Sequence, residues 1–185
     1  MHHYLRERNI EYDMFFLPDP VCWTEVPDSW KVLGRQRNRW HRGLIDSLLN
    51  HRKMFMNPRY GTIGLLGMPY FVIFEMFGPI VEMLGYFVVP AAFIAGVINI
   101  EFFLAFLSLA VLFGIVLSTG SLVLEELSFR RFPRALDLLI LVAAGVMENL
   151  GYRQMNTLWR ILAFRDFIRG NTAWGRMERR GFARR

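Results

Sequence analysis

The chain has 185 residues, 54% apolar and 21% charged, with a formal net charge of +6. This excludes a disordered or acidic-tail protein and allows one domain of roughly 100–200 residues. The charge is segregated: no Lys or Arg occurs from Tyr60 through Phe129, and basic residues lie on both sides of that gap. That pattern argues against a nucleic-acid partner and for a bilayer segment with polar flanks.

In chain order, residues 1–13 read as the tail of a helix, MHHYLRERNIEYD. A domain rarely starts in a charged half-helix without a cap, so a preceding domain is expected. Met1 to Arg8 is charged, unlike a secretory signal. Residues 14–26 read as a short extended strand broken by Pro18 and Pro20. No other segment offers it a sheet, so residues 1–28 are expected to be the edge of an absent domain.

Pro27-Asp28-Ser29 predicts a helix start, with Asp28 or Ser29 as N-cap. The helix should run from about Trp30 to Arg52. Its apolar face is expected to be Trp30, Leu33, Trp40, Leu44 and Leu48. Its other faces carry Lys31, Arg35, Arg37, Arg39 and Arg42. Residues 29–62 therefore read as an amphipathic interface segment; a helix on a soluble core fits this segment equally well.

Residues 63–150 read as the membrane region. The stretch 63–98 holds Pro69, Pro79, Pro90, Glu75 and Glu82. As one helix it would span about 54 Å, against a hydrocarbon core of about 30 Å. An interfacial or broken helix at 63–77 and a span near 79–98 are expected. Residues 102–124 carry no charge and form the clearest span. Residues 136–150 are shorter: a tilted span, a re-entrant piece or a surface helix. Residues 151–185 form a basic tail with nine arginines. Two full crossings put all the basic segments on one side, as the positive-inside rule prefers. The fold class is therefore mostly α and integral to a membrane. It combines an interface helix, two to three transmembrane or re-entrant helices and one short unpaired strand. The expected location is the inner (plasma) membrane, multi-pass.

Cys22 is the one cysteine, so no disulfide framework exists within the chain. His2, His3, His41 and His51 have no neighbours at zinc-ligand spacing, and no metal site is expected. Glu75 and Glu82 are seven apart and share a helix face. They are expected to line a sugar path, to bond to the absent domain, or else simply to lie at the interface or pair with the basic tail.

The string Gln36-Arg37-Asn38-Arg39-Trp40 carries chemistry. Gln36, Arg39 and Trp40 stand at i, i+3 and i+4, on one side of a helix. A guanidinium fork binds phosphate oxygens, an amide bonds a hydroxyl or phosphate, and an indole stacks on a sugar face. Spacing alone favours the plainer reading, an amphipathic helix with a buried Trp and solvated arginines.

Gln-Arg-x-Arg-Trp resembles the Q(Q/R)xRW motif of membrane-embedded family 2 glycosyltransferases. Those are the synthases of cellulose, hyaluronan, chitin and poly-N-acetylglucosamine. Residues Asp19 to Pro27, Arg42-Gly43, Asn57 to Gly61, Glu148 to Gln154 and Trp174 to Arg179 are similar to the motif's surroundings, the last two leaning toward bacterial members. The resemblance implies that Gln36 and Arg39 contact the nucleotide pyrophosphate and the acceptor, and that Trp40 lies under the acceptor sugar. Arg37 fills the variable second position as a weaker substrate-binding residue.

The family's nucleotide-binding aspartates, its Asp-x-Asp and its Thr-Glu-Asp base motif do not occur in these 185 residues. The chain is thus expected to hold no catalytic residue and no cofactor of its own, Mg or Mn belonging to a full-length enzyme. Its expected role is the membrane and acceptor-binding portion of a polysaccharide-forming enzyme, inactive alone. UDP-sugar and growing glycan would be partners once a catalytic domain, on this or a separate chain, is present. The alternative is a non-enzymatic assembly or channel subunit.

Overall fold

A computed structural model describes residues 2–15, 17, 26–129 and 134–171. It is helical: α1 (His2–Glu7), α2 (Trp30–Asn50), α3 (Ile63–Ile94), α4 (Ile100–Phe129), α5 (Ala135–Met147) and α6 (Tyr152–Ile168). No strand occurs among the described residues. Most of the expected strand at 14–26 lies outside them; Met14, Phe15, Leu17 and Val26 have no regular secondary structure. Trp174 to Arg179 also lies outside. The chain divides into two compact units, Met1–Ile80 with Trp159–Arg185, and Val81–Leu158.

In the first unit Ser29 caps α2, its hydroxyl accepting from the Val32 N–H at 3.4 Å. The packed face of α2 differs from the expected one. Gly34, His41, Ile45 and Leu48 are buried, while Trp30 and Trp40 are 63% and 54% exposed. The sequence holds two stripes at helical spacing, and the tryptophans mark the outer one. Gly34 decides between them: a Cβ there would meet the Trp159 indole at 2.7 Å. Only the bare backbone lets that ring lie against α2. Ile45 and Leu48 then join Met54, Tyr60, Met68 and Met76 in one apolar core, flanked by Phe164 and Phe167. Each such side chain removed from water contributes roughly 1.5–3 kcal/mol.

Two 3₁₀ turns, Arg52–Met54 and Pro58–Tyr60, lead from α2 into α3. Asn57 caps the second turn by accepting from the Arg59 N–H at 3.0 Å. The expected separation of 63–77 from 79–98 takes the form of a change of winding within α3. Ile63–Gly67 and Phe71–Met76 are wound as π-helix, and a regular α-helix resumes at Gly78. Proline is one physical cause. Pro79 has no N–H to offer the Glu75 carbonyl four residues back. The next donor, the Ile80 N–H, bonds to Phe77 instead at 2.9 Å. The Glu75 carbonyl is thus released from the helix ladder, and Arg160 of α6 donates to it.

In the second unit α3 ends in a Schellman turn. Gly96 sits at φ +71, its N–H bonds the Phe93 carbonyl, and the Val97 N–H bonds Ala92. Asn99 then caps α4, accepting from the Phe102 N–H at 2.8 Å. α3 and α4 are long and apolar enough to cross a membrane, and their most apolar stretches are only 11% and 6% buried. Such outward apolar surface needs a hydrocarbon solvent. α5 and α6 meet at a 60° bend and would count as a third span only as one broken element. The bend is built by Glu148 to Gln154. Asn149 donates to the Gly145 carbonyl at 2.9 Å, Gly151 takes φ +112, and Gln154 accepts from the Gly151 N–H at 2.8 Å. The last contact is half of a capping box. Glu148 reaches Ser118 of α4.

Two glycines separate steric need from mere tolerance. A Cβ on Gly64 would collide with the carbonyl oxygens of Met54 and Asn57, whereas one on Gly43 meets nothing within 4 Å. Backbone cannot swing aside as a side-chain tip can. Gly64→Ala is expected to destabilise the first unit by about 2 kcal/mol or more. Gly43→Ala, in a helix, should be neutral or stabilising by up to about 1 kcal/mol. Thermal unfolding of both variants in detergent checks this; equal melting temperatures would contradict it.

Candidate functional site

α2 has one packed face and one that turns away from the core. At about 100° per residue, Gln36, Arg39, Trp40 and Gly43 centre about 180° from Gly34, His41 and Ile45. The structure brings the three motif residues onto one side, facing away from the core, as their spacing predicts. Trp40 is exposed, and Gln36 and Arg39 are half-buried. The expected alternative with a buried Trp40 does not hold, because the packed stripe is the other one. Among the described residues nothing lies within 4 Å of where a Gly43 Cβ would stand, on the same face.

Arg37 stands on the flank. Its guanidinium carbon lies 5.1 Å from the centre of the Trp40 ring. A cation over an indole face is attractive and limits ring rotation. Arg37 is therefore placed to orient Trp40.

Three anchors hold the opposite side of α2, and spacing within the motif does not reveal them. The Asn38 amide donates to Asp166 at 2.9 Å. Gly34 receives Trp159. Buried His41 accepts from the Arg160 Nε at its Nδ1, 3.3 Å away, and packs edge-on against Phe164. Arg160 pairs with the Glu75 carboxylate at 3.1 Å. The one available signal was charge complementarity between the carboxylates of α3 and the arginines after Gly151.

Of the fates expected for Glu75 and Glu82, the contacts fit pairing with the basic tail. In the second unit Glu82 accepts from Arg153 at 2.6 Å, Thr157 at 2.7 Å and Tyr86 at 2.8 Å. Glu82 and Glu75 are seven apart, as are Arg153 and Arg160. Among the described residues no three His, Cys, Asp or Glu side chains converge on a possible metal.

Residues 4–178 match the family model for chitin synthase. The chain is 44% identical over 39 residues to the probable glycosyltransferase YdaM of Bacillus subtilis, covering 21% of this chain and 9% of that protein. It is 33% identical over 94 residues to chitin synthase 4 of Exophiala dermatitidis, covering 51% of this chain and 6% of the relative. It is 30% identical over 105 residues to chitin synthase A of Colletotrichum graminicola, covering 54% and 6%. The matched region is under a tenth of each relative's length. No solved structure matches the chain.

His41 gives the anchored face a pH signature. Burial first, and the Arg160 charge second, lower its pKa from 6.5 to about 4. Below pH 6.5 the unfolded chain takes a proton at this site that the folded chain refuses, so folding is penalised progressively from about pH 6.5 down to about pH 4. His41→Asn keeps an acceptor for Arg160 without the titration. The wild type is expected to lose more thermal stability than this variant between pH 7 and pH 4.5. Parallel melting curves would refute the assignment.

Proposed function

The chain belongs to the chitin synthase family, and from that premise we propose that it is the membrane and acceptor-binding part of a polysaccharide-forming glycosyltransferase that uses a UDP-sugar. One observation carries the reading. Gln36, Arg39 and Trp40 share the side of α2 that lies opposite the packed face, with Trp40 exposed and Gln36 and Arg39 half-buried, while the packed face is anchored to α3 and α6. A pyranose ring stacks on the Trp40 indole, held in orientation by Arg37. The Arg39 fork takes diphosphate oxygens and stabilises the charge that grows on the leaving group. Gln36 bonds a hydroxyl or a phosphate oxygen.

Transfer also needs a general base for the attacking hydroxyl. The base and donor-binding aspartates have no counterparts in these 185 residues. We assign base, metal and nucleotide binding to a catalytic domain on the same or another polypeptide, and the chain alone transfers no sugar. The protein is a multi-pass component of the plasma membrane. Two full crossings keep its arginine-rich segments on the cytoplasmic side.

The test supplies the catalytic domain together with this chain and measures polymer formation in membranes. Trp40→Ala is expected to reduce polymer by tenfold or more at unchanged expression and helix content, with partial retention by Trp40→Phe. Arg39→Lys should also reduce it about tenfold, because an ammonium cannot reproduce the fork. Polymer formation unaffected by Trp40→Ala would remove the acceptor role and favour a non-enzymatic assembly or channel subunit.

A further inference from the structure

We propose that a cleft on the anchored flank of α2 binds the phosphate-bearing headgroup of an anionic membrane lipid. The cleft encloses about 400 Å³ within the first unit. Its basic wall is a stripe that the acceptor reading does not use. Lys31, Arg35, Asn38 and Arg42 recur at i, i+4, i+7 and i+11, along one flank of the helix. Its opposite wall is Trp159, whose ring centre lies 6.3 Å from that of Trp30.

The four stripe residues divide by engagement. Asn38 donates to Asp166, and Arg42 donates to the Asn171 carbonyl. Asp166 also takes Arg165 at 3.2 Å. Lys31 and Arg35 are exposed and make no hydrogen bond or ion pair among the described residues. The cleft therefore pairs two uncompensated cations with two indoles, and its one carboxylate is already engaged. A phosphate between Lys31 and Arg35, with an uncharged polar edge against the indoles, satisfies both walls.

The lipid source follows from position. The first unit contains both this cleft and the opening turns of α3, a helix fit to cross the bilayer. Indoles settle at headgroup depth, and Lys and Arg beside a span attract anionic lipids. The cleft lies off the Gln36–Arg39–Trp40 face, so this proposal stands or falls independently of the acceptor reading.

The experiment uses the full chain in mild detergent. Native mass spectrometry counts retained phosphatidylglycerol and phosphatidylcholine after equal exposure to each. The wild type is expected to retain phosphatidylglycerol at least fivefold over phosphatidylcholine. Lys31→Gln/Arg35→Gln should abolish that preference at unchanged helix content, while Arg52→Gln/Lys53→Gln, outside the cleft, keeps it. Equal retention of the two lipids, or equal loss in both double variants, would overturn the site. Displacement of phosphatidylglycerol by millimolar inorganic phosphate would overturn the lipid source in favour of a soluble anion.

Discussion

One guanidinium ties the first unit together. Arg160 of α6 reaches the Glu75 carboxylate and carbonyl on α3 and the His41 ring on α2. Each partner has its own reason to need it. The carbonyl is orphaned by Pro79, and an orphaned carbonyl away from water is costly. The carboxylate sits in a stretch of α3 otherwise free of charge. The imidazole is buried and, accepting at Nδ1, must carry its proton on Nε2. An exposed ion pair is worth about 0–1 kcal/mol. Arg160 matters more because it meets three groups at once, among them the buried His41 ring and the carbonyl released by Pro79.

This anchoring gives α2 its division of labour. A helix next to a membrane has a choice of faces to bury, and tryptophans would ordinarily be good candidates. Here the polar and small residues Gly34, Asn38 and His41 make the specific contacts, and Ile45 and Leu48 add apolar area. Trp40 and Arg39 are thereby left outward. A rigid helix whose rear face is locked holds the residues of its outward face in fixed positions. The stacking of Arg37 on Trp40 continues that logic toward the open side.

The sequence made much of this legible. The basic-free stretch from Tyr60 to Phe129 located both helices that are long and apolar enough to cross a membrane, and of the two expected caps, Asp28 and Ser29, it is Ser29 that caps α2; hydropathy and capping are local signals. The shared face of Gln36, Arg39 and Trp40 followed from helical spacing alone. The buried face of α2 did not, because two stripes compete and Gly34 counts for nothing on a hydrophobic scale. Its value lies in what it allows Trp159, 125 residues away, to do. The helix Tyr152–Ile168 was hidden for a similar reason. Its arginines read as a basic tail, yet Arg153 and Arg160 face the carboxylates of α3.

The same reasoning gives physical roles to the segment Glu148 to Gln154, which matched family synthases as a string. Glu148 meets Ser118, Asn149 closes the end of α5, Gly151 supplies the backbone turn, Arg153 pairs with Glu82, and Gln154 caps the next helix. They bend the chain by 60° and deliver an arginine to a carboxylate inside an apolar span. A charge at that depth is tolerable only with its partner in place. The contacts of this string therefore serve the pairing of Glu82 and the bend between α5 and α6.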